Sequence, residues 1–435
     1  MKNKSLYTIV LIFCLCGSAF AQQKMTVEDA VSIALENNFD IRLVENAEEI
    51  AKNNTSIYNS GFLPSVTANG NANYSNTNTT FTTQQGVENN INGAEIQSYG
   101  SSIGINYLLF NGGARKLQYG KLKRQYELAS VQKRLQIENT LIEVYTAYFN
   151  IARSQEQRLT LLEAVEISSD RLLRVTAQQK YGQKTSLDVL NAQVDANADS
   201  MNLIQVESNL LAAKQGLNLL LGRAIATSFT VDPEVQFLPG LKIEELRSQM
   251  VTNNAQLQQA FANKELSSYD LSISKAAWIP TVSAAASYGI NYSDNGRVGF
   301  FQNQQSAGLN SSVTLSWDIF NGGRTLVQTQ NSKLSLEQQS ITEEKIKLSL
   351  ENQLSAFWLD YQTQKAVIAT EEGNMEVSQE NFSKSKELFQ LGQITSLDFR
   401  QSQLNLMQTK LNLTNAMFDA KIAELQLIRF AGLLK

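Results

Sequence analysis

The chain has 435 residues, with 41 acidic against 37 basic side chains, no histidine and only two cysteines, Cys14 and Cys16. Because the chain has no histidine and only these two cysteines, it cannot build a metal site from several cysteine and histidine ligands. The small acidic excess gives no reason to expect a nucleic-acid partner. Only four prolines interrupt the chain, which permits very long helices. No apolar run approaches the ~18 residues that a membrane-spanning helix needs.

Residues 1–21 are predicted to be a secretion signal. Two lysines precede an apolar run, and Ala19-Phe20-Ala21 provides a small-x-small cleavage site. A lipoprotein signal ending at Cys16 is the alternative, although the three residues before Cys16 fit a lipobox poorly. Cleavage after Ala21 would remove both cysteines and two lysines, so that 35 basic side chains would remain against 41 acidic ones.

Two short helices are predicted next. Thr26, followed by Asp29 three residues later, is typical of a helix start, and this helix should end near Glu36. A second helix is expected over 39–59. Glycine and proline then stop the helical pattern, and the period of the sequence changes.

A β-hairpin is predicted after these helices. Apolar or small residues alternate with polar ones over 66–74 and again over 99–109. This alternation predicts two strands, each with one apolar and one polar face. On the second strand Ile105 belongs to the apolar face and Asn106 to the polar face. The stretch 75–97, rich in Asn, Thr and Gln, is predicted to be a loop.

A very long helix is predicted over 114–180, because this stretch holds no proline and a single glycine. At ~1.5 Å per residue, its ~67 residues would span on the order of 100 Å. The residues Gly182–Asp188, here called the first tip, interrupt it, and a second helix should run over 186–221. Two apolar rows recur every seven residues in that helix, which indicates a coiled-coil seam. The rows hold Leu187, Val194 and Met201, and Leu190, Ile204 and Leu211, with the polar Asn197 completing the second.

The same order of elements is predicted a second time. Gly392–Asp398, here called the second tip, repeats six of the seven residues of the first tip at an offset of 210. The motif Phe110-Asn111-Gly112-Gly113 recurs over 320–323 at the same offset. Strands are expected over 282–293 and 312–319. A repeat of this length is best treated as one structural unit used twice. We therefore divide the chain into a signal (1–21), a first repeat (22–222), a link (223–245) and a second repeat (246–435).

The strands predict a membrane barrel built from several chains. Each is about ten residues long, which suits a tilted crossing of a bilayer core. Four strands cannot close a barrel, and open strand edges are not tolerated in lipid. Three chains would supply twelve antiparallel strands. The predicted fold class is an α+β membrane protein: a trimeric 12-stranded β-barrel, with four strands per chain, continued by a long antiparallel α-helical coiled-coil tunnel.

Taken together, these motifs resemble the TolC family of outer-membrane efflux proteins over residues 25–432. The resemblance rests on the opening TVEDAVSIALENN, the FLP and WIP segments before the strands, the two FNGG turns and the two tips. It implies a trimer in the outer membrane that extends into the periplasm. It also implies docking on an inner-membrane pump through a periplasmic adaptor, and export of drugs or proteins.

Asp188 and Asp398 are the candidate functional residues of the tips. Each lies six residues after the tip glycine, in the first turn of a helix, where an acidic side chain also favours the helix N-terminus for purely structural reasons. The resemblance implies acidic residues at the periplasmic entrance of the tunnel. Three chains would then place six carboxylates around its mouth, and such a ring would favour cations.

The remaining tip residues are assigned to the turn and to contact with the adaptor, as the resemblance implies. Relatives can carry a basic residue in the second tip that helps to hold the entrance shut, whereas this chain has Ile394 there. Lys184 of the first tip could supply an ion pair instead, or it could be a solvated surface lysine. The assigned positions are Gly182, Gln183, Lys184, Thr185, Gly392, Gln393, Ile394 and Thr395.

The sequence does not indicate an enzyme. Histidine is absent and both cysteines lie in the predicted signal, so the commonest catalytic base and thiol are missing. We expect no cofactor and no metal. The leading hypothesis is a passive exit duct: a homotrimer that contacts outer-membrane lipid, a periplasmic adaptor and an inner-membrane pump. The alternative is a trimeric coiled-coil spacer or adhesin anchored by the same barrel.

Overall fold

A computed structural model of the chain describes residues 23–296 and 301–434. The predicted signal, with Cys14 and Cys16, lies outside the described residues. Within them, no helix combines the length and the apolar character that crossing a membrane requires.

The described part of the first half holds four α-helices, and the predicted pair of long and short helices is confirmed. They are α1 (Val27–Asn37), α2 (Phe39–Asn54), α3 (Ala114–Lys180, 67 residues) and α4 (Ser186–Leu220, 35 residues). The prediction for α2 was too long. The chain tightens after Asn54, where the Thr55 N–H donates to the Lys52 carbonyl, and a short 3₁₀ turn covers Ile57–Asn59. Such a tightened last turn is a usual way to satisfy helix-end carbonyls.

The second half repeats the order of these helices. It holds α5 (Ile243–Asn253), α6 (Ala255–Ala276), α7 (Arg324–Gln390) and α8 (Ser396–Phe430). Like α3 and α4, α7 and α8 have 67 and 35 residues.

Four strands form one antiparallel sheet in the order β2–β3–β5–β6. They are β2 (Ser65–Thr82), β3 (Glu88–Asn111), β5 (Thr281–Asp294) and β6 (Asn303–Ser316). The alternation of faces is confirmed by the register, in which Val66 pairs with Ile105 and Ile105 with Ala286. Residues that pair directly in a sheet share a face.

The loop predicted over 75–97 is wrong. Most of this stretch continues β2 and β3, and only 83–87 turn, with Gly86 at φ +80° and the Thr83 N–H donating to the Val87 carbonyl. Ladder hydrogen bonds are made by the backbone, so a stretch rich in Thr and Asn can pair without a continuous apolar face. Threonine in particular favours strands.

The end of the fourth strand was also predicted incorrectly. β6 ends at Ser316, so Trp317, Asp318 and Ile319 follow the strand instead of belonging to it. The Trp317 indole N–H donates to the Trp278 carbonyl at 3.2 Å, which directs this side chain to the segment before β5. The alternation in the sequence continued past the last ladder pair, Thr281 with Ser316.

Two further strands were not predicted. β1 (Gln23–Met25) pairs in parallel with β4 (Phe229–Val231), which lies in the link. Three residues are too few for a recognisable alternation. The Tyr148 hydroxyl secures both strands, because it donates to the Met25 carbonyl at 3.0 Å and accepts from the Asp232 N–H at 3.0 Å.

The described chain falls into two compact units, and each draws on both halves of the sequence. One unit holds the four-stranded sheet and comprises 47–130 and 259–344. The other holds both tips, β1 and β4, and comprises the described parts of 1–46, 131–258 and 345–435. The large apolar clusters of buried residues lie in this second unit.

Matched contacts join the short helices in the unit that holds the tips. The Asn38 side chain donates to the Leu220 carbonyl at 2.8 Å, and the Asn254 side chain donates to the Phe430 carbonyl at 3.1 Å. Gly222 and Gly432 lie two residues after Leu220 and Phe430. The backbone of Asn37 lies so close to Gly222, and that of Asn253 so close to Gly432, that a Cβ could not fit at either glycine. Gly222 and Gly432 therefore allow a helix end to contact a helix break in each half.

Candidate functional site at the two tips

Both tips begin with the same helix-terminating turn. At the first tip Gly182 has φ +75°, its N–H donates to the Gln179 carbonyl, and the Gln183 N–H donates to the Gln178 carbonyl. A left-handed glycine with these two backward bonds is the Schellman arrangement, which satisfies the last carbonyls of a helix. The second tip has the same φ and the same pair of bonds. There, Gly392 and Gln393 donate to Phe389 and Leu388.

A capping box starts the helix after each tip. Thr185 precedes α4, and its N–H and hydroxyl both donate to Asp188 Oδ2, at 2.9 and 2.7 Å. The Asp188 N–H donates back to the Thr185 hydroxyl oxygen at 3.2 Å. Thr395 and Asp398 make the same three bonds before α8, at 3.1, 2.6 and 3.1 Å. Each carboxylate thus accepts two hydrogen bonds with one oxygen, and this supports the structural role considered from the sequence.

The boxes hold both carboxylates in their charged form. The backbone hydrogen bond from Thr185, followed by its side-chain bond, lowers the pKa of Asp188, and the charge of Lys184 adds to this effect. At Asp398 the side-chain bond from Thr395 is the larger cause of the lowered pKa, and the backbone bond is second. Hydrogen bonds to the ionised form favour it. Both tips therefore present a negative charge at neutral pH.

A third capping box lies elsewhere in the chain. Thr26 and Asp29 start α1 with the same reciprocal bonds, at 3.0 and 3.1 Å, and the pKa of Asp29 is lowered by the same kind of bonds. Capping geometry alone therefore does not distinguish a tip carboxylate from one that only starts a helix. Asp29 is a natural control for experiments on Asp188 and Asp398.

Lys184 and Ile394, which occupy equivalent positions, behave differently. Lys184 is half-buried, and among the described residues its charge acts on Asp188 of its own tip, whereas it does not contribute to the lowered pKa of Asp398. Ile394 is half-buried against an apolar cluster that includes Phe389 and Phe399. The Phe389 and Phe399 rings stack at 4.7 Å with 2° between their planes. The second tip is thus secured by apolar packing at the position where the first tip carries a lysine.

A buried network of charged side chains lies beside the second tip, and sequence reasoning missed it. Arg400, one residue beyond Phe399, donates from Nη1 and Nη2 to the two carboxylate oxygens of Asp199, at 2.6 and 2.8 Å. The Arg400 and Asp199 side chains are 8 % and 1 % exposed. Fork-to-fork pairing of this kind is the strongest geometry for an ion pair. It joins α8 to α4, and therefore the two tips to each other.

A second arginine extends this network to α3. Arg171 donates through Nη2 to Asp195 and through Nη1 to the Ser396 carbonyl, the latter at 3.3 Å. Asp195 also lies 3.8 Å from Arg400 Nε. The buried Nε atoms of Arg171 and Arg400 have no hydrogen-bond partner among the described residues. Two arginines and two aspartates thus balance in charge. Asp195 is partly exposed, whereas Asp199 is 1 % exposed, so removal of Arg400 would leave a buried carboxylate without its partner.

The sequence contained only a weak signal of this network. Asp195 and Asp199 are four residues apart and so share a face of α4. The two tips have nearly the same sequence as far as Asp188 and Asp398, but then differ, with Val189-Leu190 after the first and Phe399-Arg400 after the second. Arg400 lies 210 residues after Leu190, so it is an arginine where the first repeat has a leucine. This difference was the available sign that Arg400 is unusual. Its partners depend on tertiary packing.

The predicted coiled-coil rows of α4 find no cover within the described chain. All six apolar residues of the two rows are between 60 and 69 % exposed. They are Leu187, Leu190, Val194, Met201, Ile204 and Leu211. An exposed apolar stripe of this length is typical of a surface that takes part in protein–protein contact.

The sheet presents an uncharged polar face. Three successive rows across its four strands carry only Asn, Ser, Thr and Gly. The rows are Thr67–Gly104–Ser287–Asn310, Asn69–Ser102–Gly289–Gly308 and Asn71–Gly100–Asn291–Ser306. On the opposite face Val66, Ile105 and Val313 are exposed. Within the described residues, the edge strands β2 and β6 each pair with one neighbouring strand.

The family model described as "Outer membrane efflux protein" matches residues 30–223 and 246–433 of this chain. The chain is similar to the outer membrane efflux protein BepC of Brucella suis, with 20% identity over 419 residues that cover 96% of this chain and 87% of that protein. It is also similar to the proteases secretion protein PrtF of Dickeya chrysanthemi, with 23% identity over 294 residues. That match covers 66% of this chain and 62% of PrtF.

Solved structures share the fold. The outer membrane channel CmeC of Campylobacter jejuni superposes with a TM-score of 0.80 at 14% identity, over 93% of this chain and 85% of that one. A membrane protein of Pseudomonas aeruginosa gives a TM-score of 0.78 at 17% identity, over 93% of this chain and 90% of that one.

Proposed function

The chain belongs to the outer membrane efflux protein family, and from this premise we propose that three copies form the exit duct of a tripartite efflux or type I secretion system. The observation that carries the proposal is the four-stranded sheet with two open edges and an uncharged polar face. β2 and β6 are the edge strands, and their free backbone groups cannot remain unpaired in lipid. Pairing β2 of one copy with β6 of the next closes a ring.

Three copies are the number that we infer for this ring. They supply twelve strands, an even number within the range of antiparallel membrane barrels. The polar face would then line water, and the face that carries Val66, Ile105 and Val313 would contact lipid. On β3, Tyr99 and Tyr107 are eight residues apart, about 27 Å along the strand at ~3.4 Å per residue. At a strand tilt of about 40° this is roughly 21 Å across the membrane, comparable to the ~25 Å apolar band of such barrels. Tyr99 stacks on Tyr292 of β5 with 6.5 Å between ring centroids, so we assign this aromatic row to one membrane interface.

The exposed rows of α4 support the same assembly. In a ring of three copies, these rows would pack against helices of a neighbour and form the coiled-coil wall of the tunnel. We also infer that the two halves of the chain are tandem repeats. The equal helix lengths and the matched contacts of Asn38 and Asn254 support this inference.

The tips form the periplasmic entrance in this proposal. Six copies of the tip carboxylate, from Asp188 and Asp398 of three chains, would surround the mouth of the duct. The two Schellman turns project glycine and glutamine at its rim, where a periplasmic adaptor could grip them. The inner-membrane pump, acting through this adaptor, would supply the energy, and the chain itself would act as a passive channel.

Purification in mild detergent tests the assembly and the duct together. We expect light scattering, corrected for bound detergent, to give three chains per particle, and we expect these trimers to conduct ions across a planar bilayer. A folded monomer would contradict the proposed ring. A trimer that never conducts, even after the charged tips are neutralised, would favour a structural spacer instead.

A further inference from the structure

A cleft of about 450 Å³ lies in the unit that holds the tips, between α3, α4 and the segment that follows β4. Its walls are mainly apolar and include Leu159, Leu210 and Pro233. Concave, mostly apolar sites of this size with a few polar groups are the usual form of a small-molecule site. None of these residues belongs to either tip or to the four-stranded sheet.

Lys214 brings a charge to this cleft that nothing in the described chain neutralises. Its side chain is half-buried, and Nζ lies 5.7 Å from the ring centroid of Phe229. Burial lowers the pKa of Lys214, and the positive charge of Arg158 lowers it further. Among the described residues no carboxylate forms an ion pair with Lys214. An anion in the cleft would relieve both effects.

Arg158 and Glu156 are the other charged groups that line the cleft. Arg158 Nε donates to Glu207 at 2.8 Å, so its charge already has a partner. Glu156 also lines the cleft but does not pair with Lys214. Among the described residues, Lys214 is therefore the cleft cation that has no carboxylate partner, and Glu156 would oppose a ligand with a second negative charge.

We propose that this cleft binds a small amphipathic monoanion, with its carboxylate at Lys214 and its apolar body against Leu159, Leu210 and Pro233. The charge of Lys214 selects an anionic head, Glu156 disfavours a second negative charge, and the apolar walls select a hydrocarbon or aromatic body over a bare inorganic ion. The cleft shares no residue with the tips or with the four-stranded sheet.

Lysine reactivity in the whole protein tests this proposal. The protein in non-ionic detergent is treated with a water-soluble amine-acylating reagent, and mass spectrometry follows the modification of Lys214 and of Lys365. Lys365 is the matched control, because it lies over a ring in the same way, 5.5 Å from the Tyr361 centroid, but is exposed and outside the cleft. We expect octanoate to slow the modification of Lys214 and to leave Lys365 unchanged.

Two further probes separate the charge from the apolar body. Octanol has the apolar body without the charge, and inorganic phosphate has charge without the body, so we expect neither to protect Lys214 as octanoate does. Equal protection by octanol would show that the charge of Lys214 does not contribute to binding. Equal protection by phosphate would show that the apolar walls do not contribute. Either result, or an octanoate effect that is the same at both lysines or absent from both, would overturn the proposal.

Variants complete the test by calorimetry. We expect Lys214→Met to weaken octanoate binding about tenfold, the equivalent of ~1.4 kcal/mol. Lys365→Met should leave binding unchanged, and Lys214→Arg, which keeps the charge, should retain most of it. Binding that survives Lys214→Met in a protein of unaltered oligomeric state would place the ligand elsewhere.

Discussion

Asp188 and Asp398 act first on their own helices. One oxygen of each carboxylate is occupied by the capping box, while the charge itself remains and is favoured by those bonds. The structural and electrostatic roles therefore coexist in a single side chain, and only a change that removes the charge while keeping the shape can separate them.

Replacing both residues with asparagine makes this separation. We expect the double variant Asp188→Asn and Asp398→Asn to lose most of the cation selectivity measured in planar bilayers, because an entrance ring of six carboxylates would become neutral. The wild-type selectivity should weaken as salt increases, since at 0.1 M ionic strength charges are screened over ~10 Å.

Asp29→Asn provides the control for this prediction. It removes the carboxylate from the third capping box, away from both tips, and should leave selectivity unchanged. Unaltered selectivity in the double tip variant, with trimers intact, would reduce Asp188 and Asp398 to helix starts.

At the scale of the elements, the ion pair of Arg400 and Asp199 decides how the second tip is held. We expect Arg400→Met to destabilise the tips by about 3–5 kcal/mol, because it leaves the buried carboxylate of Asp199 without its partner. Limited trypsin cleavage after Lys184 should then become faster.

Two comparisons make this prediction specific. The variant Arg247→Met removes an exposed arginine that pairs with Glu244, and it should change the cleavage little, since such pairs contribute little to stability. Combining Arg400→Met with Asp199→Leu removes both buried charges and should restore much of the resistance. Rapid cleavage that persists in the double variant would mean that packing, and not the unpaired charge, is the cause.

The faces of the sheet give a second prediction at this scale. Single cysteines at Ile105 and Val313 should be protected by lipid from a water-soluble thiol reagent, whereas cysteines at Asn106 and Thr314 should react. The mature chain offers a background without thiols if residues 1–21 are removed. Equal labelling of the two pairs would reject the assignment of the faces.

The elements also show what a sequence can reveal by itself. The limits of α3 were predicted correctly because 114–180 contains no proline and glycines surround it. The extension of β2 and β3 was missed because Asn and Thr are common in both loops and strands, and only ladder pairing distinguishes the two. Arg400 was missed because an arginine in a helix is ordinarily solvated, and its burial depends on α4 lying across it.

At the scale of the whole molecule, the apolar surface that a single chain leaves exposed favours assembly of several copies. The exposed rows of α4 and both faces of the sheet are surfaces that the described chain leaves uncovered. The proposed ring of three copies would place the rows against a neighbouring copy, one face of the sheet against lipid and the other against water. The sequence allowed this expectation because the seven-residue rows and the strand alternation are periodic. The tip turns were equally recognisable, whereas the cleft at Lys214 arises from three segments that are distant in sequence.

The two hairpins of the sheet differ in length, and a ring of three copies turns this difference into a pattern. β3 pairs with β5 only as far as Gln97, and from there to the turn at 83–87 it has β2 as its sole neighbour among the described residues. Long β2–β3 hairpins and short β5–β6 hairpins would therefore alternate around one rim of the barrel. A peptide tag inserted at Gly86, which has no atoms near its missing Cβ, should be tolerated. It should be bound by antibody on intact cells, and failure to detect it there while it is detected after lysis would place this rim on the other side of the membrane.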